Sequence, residues 1–227
     1  MTPLQVGQHA GLSWAWWGEW PYADCHAAQR SYRQQRIEKL VPDTLWLLEH
    51  PPVLTTGRRS VDAPEALRGP PHFDRVTTER GGLATCHEPG QLVCYLLLDA
   101  AHIGPKKLVA AVERSIIQFL AAYRVTAFAR PGVPGVWVET PPDVSSYKLC
   151  KIAALGMHIE HGCTMHGLAI NLTNTLEGFR YIIPCGLTDT GVISLQKLIR
   201  NAPNPSQAAP RLAQAVAESL SEFSHSS

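Results

Sequence analysis

The sequence predicts a mixed α/β or α+β fold, in which strands of one sheet are flanked by a few helices. Apolar runs of strand length occur at residues 45–48 and 92–98. Residues 106–123 and 205–223 show helical spacing of apolar side chains. Because strands and helices interleave without strict alternation, a purely parallel sheet is not favoured.

The first half of the chain predicts a short strand, a helix and three further β or loop segments. The strand covers residues 13–17, where tryptophans fit a half-buried pleat. A helix follows over residues 21–40, with Pro21 in its first turn and Pro42 ending it. The buried strand at 45–48, a loop at 60–71 and a strand at 75–78 complete this half.

The second half predicts the buried strand at 92–98 and then a helix over 106–123. Short strands are expected near 124–128 and 136–139, broken by Pro131, Gly132, Pro134 and Gly135. Residues 151–156 and 164–172 are also predicted strands, and 205–223 a helix with Leu212, Val216 and Leu220 aligned.

Length and composition indicate one globular domain. The 227 residues suit a single catalytic domain over 1–227, with a core of about 12–200 and a C-terminal helix at 205–223. The formal net charge of +1 argues against a nucleic-acid surface. No apolar run approaches a membrane span, and residues 1–11 lack the pattern of a secretory signal. We therefore expect a cytoplasmic protein whose six cysteines are reduced.

A cysteine in a Pro/Gly turn is the main candidate for chemistry. Residues 183–186 read Ile-Pro-Cys-Gly, and proline and glycine together can hold the Cys185 thiol at one angle. A thiol held in this way is a candidate nucleophile. If Lys151 lies beside it in the fold, the ammonium favours the thiolate and the amine can shuttle protons. The alternatives are an inert buried cysteine and a lysine whose stem covers apolar surface.

Two glycine-containing segments are candidates for ligand contact. Residues 80–91 combine paired glycines with Arg80 and His87, so the backbone can approach a ligand that the side chains hold. Gly167 follows His166 at the start of an apolar strand, which indicates something packed against the main chain. The alternatives are a tight hairpin and a strand start with a satisfied histidine.

Clustered histidines and cysteines raise the question of zinc. His158, His161, Cys163 and His166 fall within nine residues, and Cys86-His87 lies upstream. Zinc takes such ligands, but the spacing follows no regular Cys/His pairing. We expect no metal site here.

Taken together, six motifs resemble the octanoyltransferase, or lipoyl(octanoyl) transferase, family of lipoate biosynthesis. In order along the chain they are LLEHPPVLTTGR, RGGLATCHEPGQL, PGVWV, KIAALG, HGLAINL and IIPCG. The resemblance implies the mixed-sheet catalytic fold shared with biotin protein ligases and lipoate–protein ligases.

The resemblance also implies residue roles. Cys185 resembles the acyl-thioester nucleophile, and Lys151 resembles the lysine that lowers its pKa and handles protons. Three strips resemble the family's substrate-binding segments: Arg80, Gly81, Gly82, Leu83, Ala84, Thr85, Cys86 and His87; Ala154, Leu155 and Gly156; and Gly167, Leu168 and Ala169. Leu83, Cys86 and Glu88 depart from the family pattern, which puts fine substrate preference rather than the reaction in doubt.

The implied reaction is a ping-pong acyl transfer without a cofactor. Its donor is octanoyl-acyl carrier protein, and its acceptors are lipoyl domains of 2-oxoacid dehydrogenase complexes and the glycine cleavage H protein. A monomer is implied, with no nucleic-acid or membrane partner. Three rivals stay open: an ATP-dependent lipoate or biotin ligase, a cysteine hydrolase using His87 or His166 as base, and a non-catalytic acyl- or domain-binding module.

Overall fold

A computed structural model describes residues 1–58, 70–182 and 189–223. Most of the loop predicted at 60–71 lies outside these residues, as does the Pro-Cys-Gly turn with Cys185. No helix of the described part is both long and apolar enough to cross a membrane.

Two β-sheets form the framework. The larger sheet has the strand order β1-β2-β3-β7-β11-β10-β9-β8, with β12 paired to β10. Its strands are β1 (Gln5–His9), β2 (Leu12–Glu19), β3 (Thr44–Glu49), β7 (Gln91–Leu97), β8 (Phe128–Arg130), β9 (Val133–Glu139), β10 (Leu149–Glu160), β11 (Cys163–Asn171) and β12 (Gly191–Val192). The smaller sheet has the order β5-β4-β6, from β4 (Val53–Thr56), β5 (Asp74–Thr77) and β6 (Thr85–His87).

Four α-helices and one 3₁₀ helix complete the described part of the chain: α1 (Tyr22–Ile37), α2 (Pro105–Ala121), the 3₁₀ helix Gly178–Tyr181, α3 (Leu195–Leu198) and α4 (Pro205–Ser221). The long helices confirm the spacing-based predictions. At the start of α4, Asn204 accepts a hydrogen bond from the Gln207 backbone N–H and the Gln207 side chain accepts one from Asn204. This capping box explains why the helix begins there.

The larger sheet is mixed, as predicted. Strand β2 is parallel to β3 and β10 is parallel to β12, whereas the other described pairs in this sheet are antiparallel. In β7, Leu92, Cys94 and Leu96 enter a core that also holds residues of α2 and α4. Val93, Tyr95 and Leu97 enter a second core that contains Cys25 of α1. Both faces are covered, so the strand reads as one apolar run.

The prediction for residues 124–139 was wrong in detail. Residues 124–127 are not a strand, and β9 runs through Pro134 and Gly135, which were expected to break it. The pairing of β9 with β10 shifts between Lys151 and Ala153. Side chains satisfy the backbone there: Lys151 Nζ donates to the Pro134 carbonyl at 2.8 Å, and Gly135 N–H donates to Glu113 Oε1 at 2.9 Å. Pro134 is not among the β9 residues that pair with β8 or β10, so its missing N–H removes no ladder hydrogen bond, and Lys151 satisfies its carbonyl.

Candidate active site

A cavity of about 790 Å³ brings the predicted segments together. This volume is typical of small-molecule sites. The predicted substrate-binding residues and the predicted lysine line this cavity, with the exception of Cys86: Arg80, Gly81, Gly82, Leu83, Ala84, Thr85, His87, Lys151, Ala154, Leu155, Gly156, Gly167, Leu168 and Ala169. Three segments distant in sequence thus form one wall.

The glycines of these strips sit where backbones approach closely. Gly81 N–H donates to the Met157 carbonyl at 3.1 Å, which joins the first strip to β10. A Cβ on Gly156 would lie 3.1 Å from the Gly81 oxygen. At Gly167 a Cβ would lie only 2.2 Å from the Cys94 oxygen of β7. The small residues therefore let the three strips pack edge to edge.

Arg80 is fixed inside the wall and is only 7% exposed. Its Nη2 donates to the Thr55 carbonyl at 2.8 Å and to Thr55 Oγ1 at 2.9 Å, and its Nε donates to the same hydroxyl at 3.2 Å. Its Nη1 donates to the Gly81 carbonyl at 3.0 Å. These bonds tie the first strip to β4 and hold a permanent positive charge beside the cavity.

Lys151 lies in β10 with its amine at the cavity and is only 4% exposed. Besides its bond to Pro134, Nζ sits 4.7 Å from the centre of the Trp137 ring, within cation–π distance. A Cβ on Gly135 would lie 2.9 Å from both Cε and Nζ, so this glycine makes room for the lysine. The surface-snorkelling alternative is excluded by this burial.

His87 and its neighbours form a buried aromatic group behind the first strip. His87 Nδ1 pairs with Gln91 Oε1 at 2.7 Å, and its ring stacks on Tyr22 with centroids 5.9 Å apart. His50 contacts the Trp20 carbonyl and the Tyr95 hydroxyl. Burial lowers the pKa of His87 to about 3 and that of His50 to about 4. Both imidazoles are therefore neutral at pH 7.

The three departures from the family pattern occupy different places. Leu83 lines the cavity, whereas Cys86 packs in a small core with Phe73 and Ile182. Glu88 accepts hydrogen bonds from Asn174 Nδ2 at 3.2 Å and from the Leu176 backbone N–H. Cys86 and Glu88 thus do not form part of the cavity wall. They contact residues 174–182, the segment that precedes Cys185 in the sequence.

None of the cysteines in the described ranges lines the cavity. Burial raises the pKa of the thiols of Cys25, Cys94 and Cys163, and that of Cys86 to about 12. Such thiols are poor nucleophiles at neutral pH. The pairing of Lys151 with Cys185 stays a prediction, because Cys185 lies outside the described residues.

The cavity also contains residues that the sequence did not predict as substrate-binding: Tyr22, Arg58, Gln91, Tyr95 and Asn171, together with apolar Val93, Val109, Val133, Met157, Ile159 and Phe179. His166, considered above as a base and as a zinc ligand, lines it as well. Gln91 donates to Asn171 Oδ1 at 2.9 Å across β7 and β11. Gln91 and Asn171 stood inside the quoted motifs, which was the available signal. The arrangement suits an apolar chain with a polar reacting end near an amine.

Comparisons with known proteins agree with this geometry. The lipoyl protein ligase A/B catalytic domain matches residues 21–217. The chain is 41% identical over 182 residues to an octanoyltransferase of Pseudomonas fluorescens, which covers 79% of each protein.

The fold is similar to that of two solved structures. Lipoate-protein ligase A bound with ATP superposes with a TM-score of 0.59 at 14% identity, covering 91% of this chain and 83% of that one. Biotin protein ligase from Aquifex aeolicus in complex with biotin and ATP gives a TM-score of 0.55 at 13% identity, covering 94% and 72%. These likenesses confirm the predicted fold class.

Proposed function

The chain belongs to the lipoyl protein ligase A/B catalytic domain family, and from that premise we propose octanoyl transfer through a thioester on Cys185. The donor is octanoyl-acyl carrier protein. The acceptor is a lysine of a lipoyl domain, in 2-oxoacid dehydrogenase complexes or the glycine cleavage H protein. We place the reaction in the cytoplasm and expect a monomeric enzyme.

The observation that carries the proposal is the buried Lys151 amine at an apolar cavity. A lysine is costly to bury, so its position requires a compensating arrangement such as the Pro134 carbonyl and the Trp137 face. Cys185 follows the described segment that ends at residue 182, after the 3₁₀ helix whose Phe179 lines the cavity. That continuity supports Cys185 as the missing nucleophile.

In the first half-reaction the Cys185 thiolate attacks the thioester carbonyl of the donor. The bond from carbonyl carbon to the carrier sulfur breaks, and Lys151 supplies the proton that the leaving thiolate takes. In the second half-reaction a lysine amine of the lipoyl domain attacks the enzyme thioester, and Lys151 accepts its proton. An amide replaces a thioester, so the transfer needs no ATP.

The apolar wall has a second task. Water that reached the Cys185 thioester would hydrolyse it, and an acyl chain packed against Leu83, Leu155, Met157 and Leu168 keeps water away. Burial also binds the chain, since each methylene removed from water contributes about 0.8 kcal/mol.

The nucleophile is tested by intact mass after mixing with octanoyl-acyl carrier protein. An octanoyl adduct should form on the wild type and vanish in Cys185→Ser. Cys163→Ser is the matched control and should keep the adduct, because Cys163 does not line the cavity. Equal adduct in Cys185→Ser would show that the nucleophile is misassigned.

The lysine is tested by the rate of acylation. Lys151→Ala should slow it about 10²–10⁴-fold, the usual contribution of a general acid–base group. Lys148→Ala, an exposed lysine three residues away, should leave the rate unchanged. A normal rate in Lys151→Ala would remove the lysine from the mechanism. An absolute need for ATP would favour a ligase, and free octanoate without amide would favour a hydrolase.

A further inference from the structure

Three side chains that are distant in sequence converge beside the cavity wall. His26 lies in α1, Glu79 follows β5, and His166 lies in β11. One ligand atom from each falls within 4.8 Å of the other two. His26 Nε2 is 2.9 Å from Glu79 Oε2, and His166 Nε2 is 3.7 Å from the same oxygen.

His166 is the unusual member of this group. It is 1% exposed, and neither of its ring nitrogens has a hydrogen-bond partner among the described residues. Its φ of 62° is left-handed, although it lies inside a strand, and its backbone N–H donates to Gln29 Oε1 at 3.1 Å. The unpartnered ring nitrogens are the feature that a ligand would relieve, since a buried polar atom without a hydrogen bond costs free energy.

Glu79 presents one carboxylate oxygen to both imidazoles. Arg30 Nε donates to the other oxygen, Oε1, at 3.3 Å, and Arg30 Nη2 donates to Oε2 itself at 3.4 Å. The Arg30 side chain is 58% exposed, so it can keep its bond to Oε1 and release the longer bond from Nη2 when a cation takes Oε2. Burial opposes ionisation of Glu79, but His166 and Arg30 outweigh it and hold the pKa of the carboxyl well below its usual range.

The histidines are in the protonation state that a metal needs. Burial lowers the pKa of His166 to about 4 and also lowers that of His26. Neutral imidazole and ionised carboxylate are the ligating forms. The positive charges of Arg30, Arg33 and Arg80 lie near the two histidines and repel any bound cation. Because Glu79 is the single negative charge of the ligand set, this repulsion limits the affinity for a metal.

We propose that His26, Glu79 and His166 form a binding site for Zn²⁺. Two imidazole nitrogens and one carboxylate oxygen are a ligand set that zinc accepts, with the fourth position left to water. Tetrahedral bonds of about 2.0–2.2 Å place ligand atoms roughly 3.2–3.6 Å apart. The distances of 2.9 and 3.7 Å to Glu79 Oε2 bracket that spacing, and the three ligand atoms lie within 4.8 Å of one another, so side-chain rotation has to bring the imidazoles to bonding distance. On binding, any hydrogen on His26 Nε2 moves to Nδ1, which frees Nε2 to ligate.

The site ties α1 to two strips of the cavity wall. Glu79 directly precedes Arg80, and His166 directly precedes Gly167. A bound ion would hold both strips against the helix. The inference does not depend on acyl transfer, because the geometry involves neither Cys185 nor Lys151. The zinc cluster considered from sequence differed, since His26 and Glu79 lie far from residues 158–166.

Titration of the full chain with Zn²⁺ and with Co²⁺ tests the site. Wild type should bind one equivalent, and its Tm should rise with added Zn²⁺. His26→Gln and Glu79→Gln should each weaken Zn²⁺ binding at least about tenfold. Loss of a residue that only orients a metal ligand already costs about 10–100-fold in affinity, and a ligand itself should cost no less. His102→Gln, an exposed histidine, is the control and should bind normally. Unaltered affinity in both ligand variants, or no saturable binding, would overturn the proposal.

Two measurements on the wild type guard against misfolded variants and against thiol binding. The Co²⁺ complex should lack a sulfur-to-cobalt charge-transfer band, whose presence would assign the metal to cysteines instead. Of the ten histidines, only His26 and His166 should show shifted imidazole NMR signals with Zn²⁺. Shifts at a different pair would refute the assignment.

Discussion

Gly135→Ala should displace the Lys151 amine without touching the lysine itself. Gly135 has a φ of 129°, and a Cβ there would lie 2.9 Å from Lys151 Nζ and 2.8 Å from the Ala153 oxygen. The oxygen belongs to the sheet backbone, whereas the amine ends a flexible side chain. We therefore expect the amine to move and its bond to the Pro134 carbonyl to be lost.

The size of the effect follows from two terms. Backbone strain at a position that only glycine adopts readily costs about 1–3 kcal/mol. Losing a buried hydrogen bond from a charged group costs about 1.5–3 kcal/mol. The free energy of unfolding should thus fall by about 2.5–6 kcal/mol. The acylation rate should fall about 100-fold or more, because a displaced lysine cannot transfer the proton.

The matched control is Gly132→Ala, in the adjacent turn between β8 and β9. Gly132 has a φ of 77°, but a Cβ there meets nothing within 4 Å. It should lose only about 1–2 kcal/mol of stability through its left-handed backbone, and its rate should stay near wild type. Urea unfolding gives the stabilities. Single-turnover mass spectrometry of the octanoyl adduct gives the rates, at a temperature where both variants are folded.

If Gly135→Ala and Gly132→Ala match in both stability and rate, the reasoning fails. That result would mean that the space at Gly135 does not position Lys151. If Gly135→Ala loses stability but keeps its acylation rate, the position of the Lys151 amine is not needed for catalysis.

Three further predictions rest on single contacts. Thr55→Val removes the hydroxyl that Arg80 binds twice and should cost about 1.5–3 kcal/mol in urea unfolding; an unchanged midpoint would contradict the role given to that bond. Gly167→Ala places a Cβ 2.2 Å from the Cys94 oxygen and should cost about 3 kcal/mol or prevent folding, so a wild-type Tm would be the contrary result. Burial lowers the pKa of His50 from 6.5 to about 4, so between these values the unfolded chain binds a proton that the folded chain does not. The free energy of unfolding should therefore decrease as the pH is lowered from 6.5 to 4, by up to about 1.4 kcal/mol per pH unit. In His50→Gln the urea midpoint should change less steeply with pH over the same range.

Much of the fold was predictable because its signals are local. The buried strand at 92–98 and the helix at 106–123 are read from neighbouring side chains, and both were found within a residue or two. The strand through Pro134 and Gly135 was not predictable in the same way. Its backbone partners, Lys151 and Glu113, come from other elements, and no local rule locates them.

The candidate site was also predictable only in part from the sequence. Motifs in the sequence by themselves determined the family, the three glycine-containing strips and the choice of Lys151. Only the tertiary structure decided that Cys86 faces a small core rather than the cavity, and that His26, Glu79 and His166 meet. The physical reason is that residue type and backbone preference are written along the chain, whereas distance and burial depend on how separate elements pack.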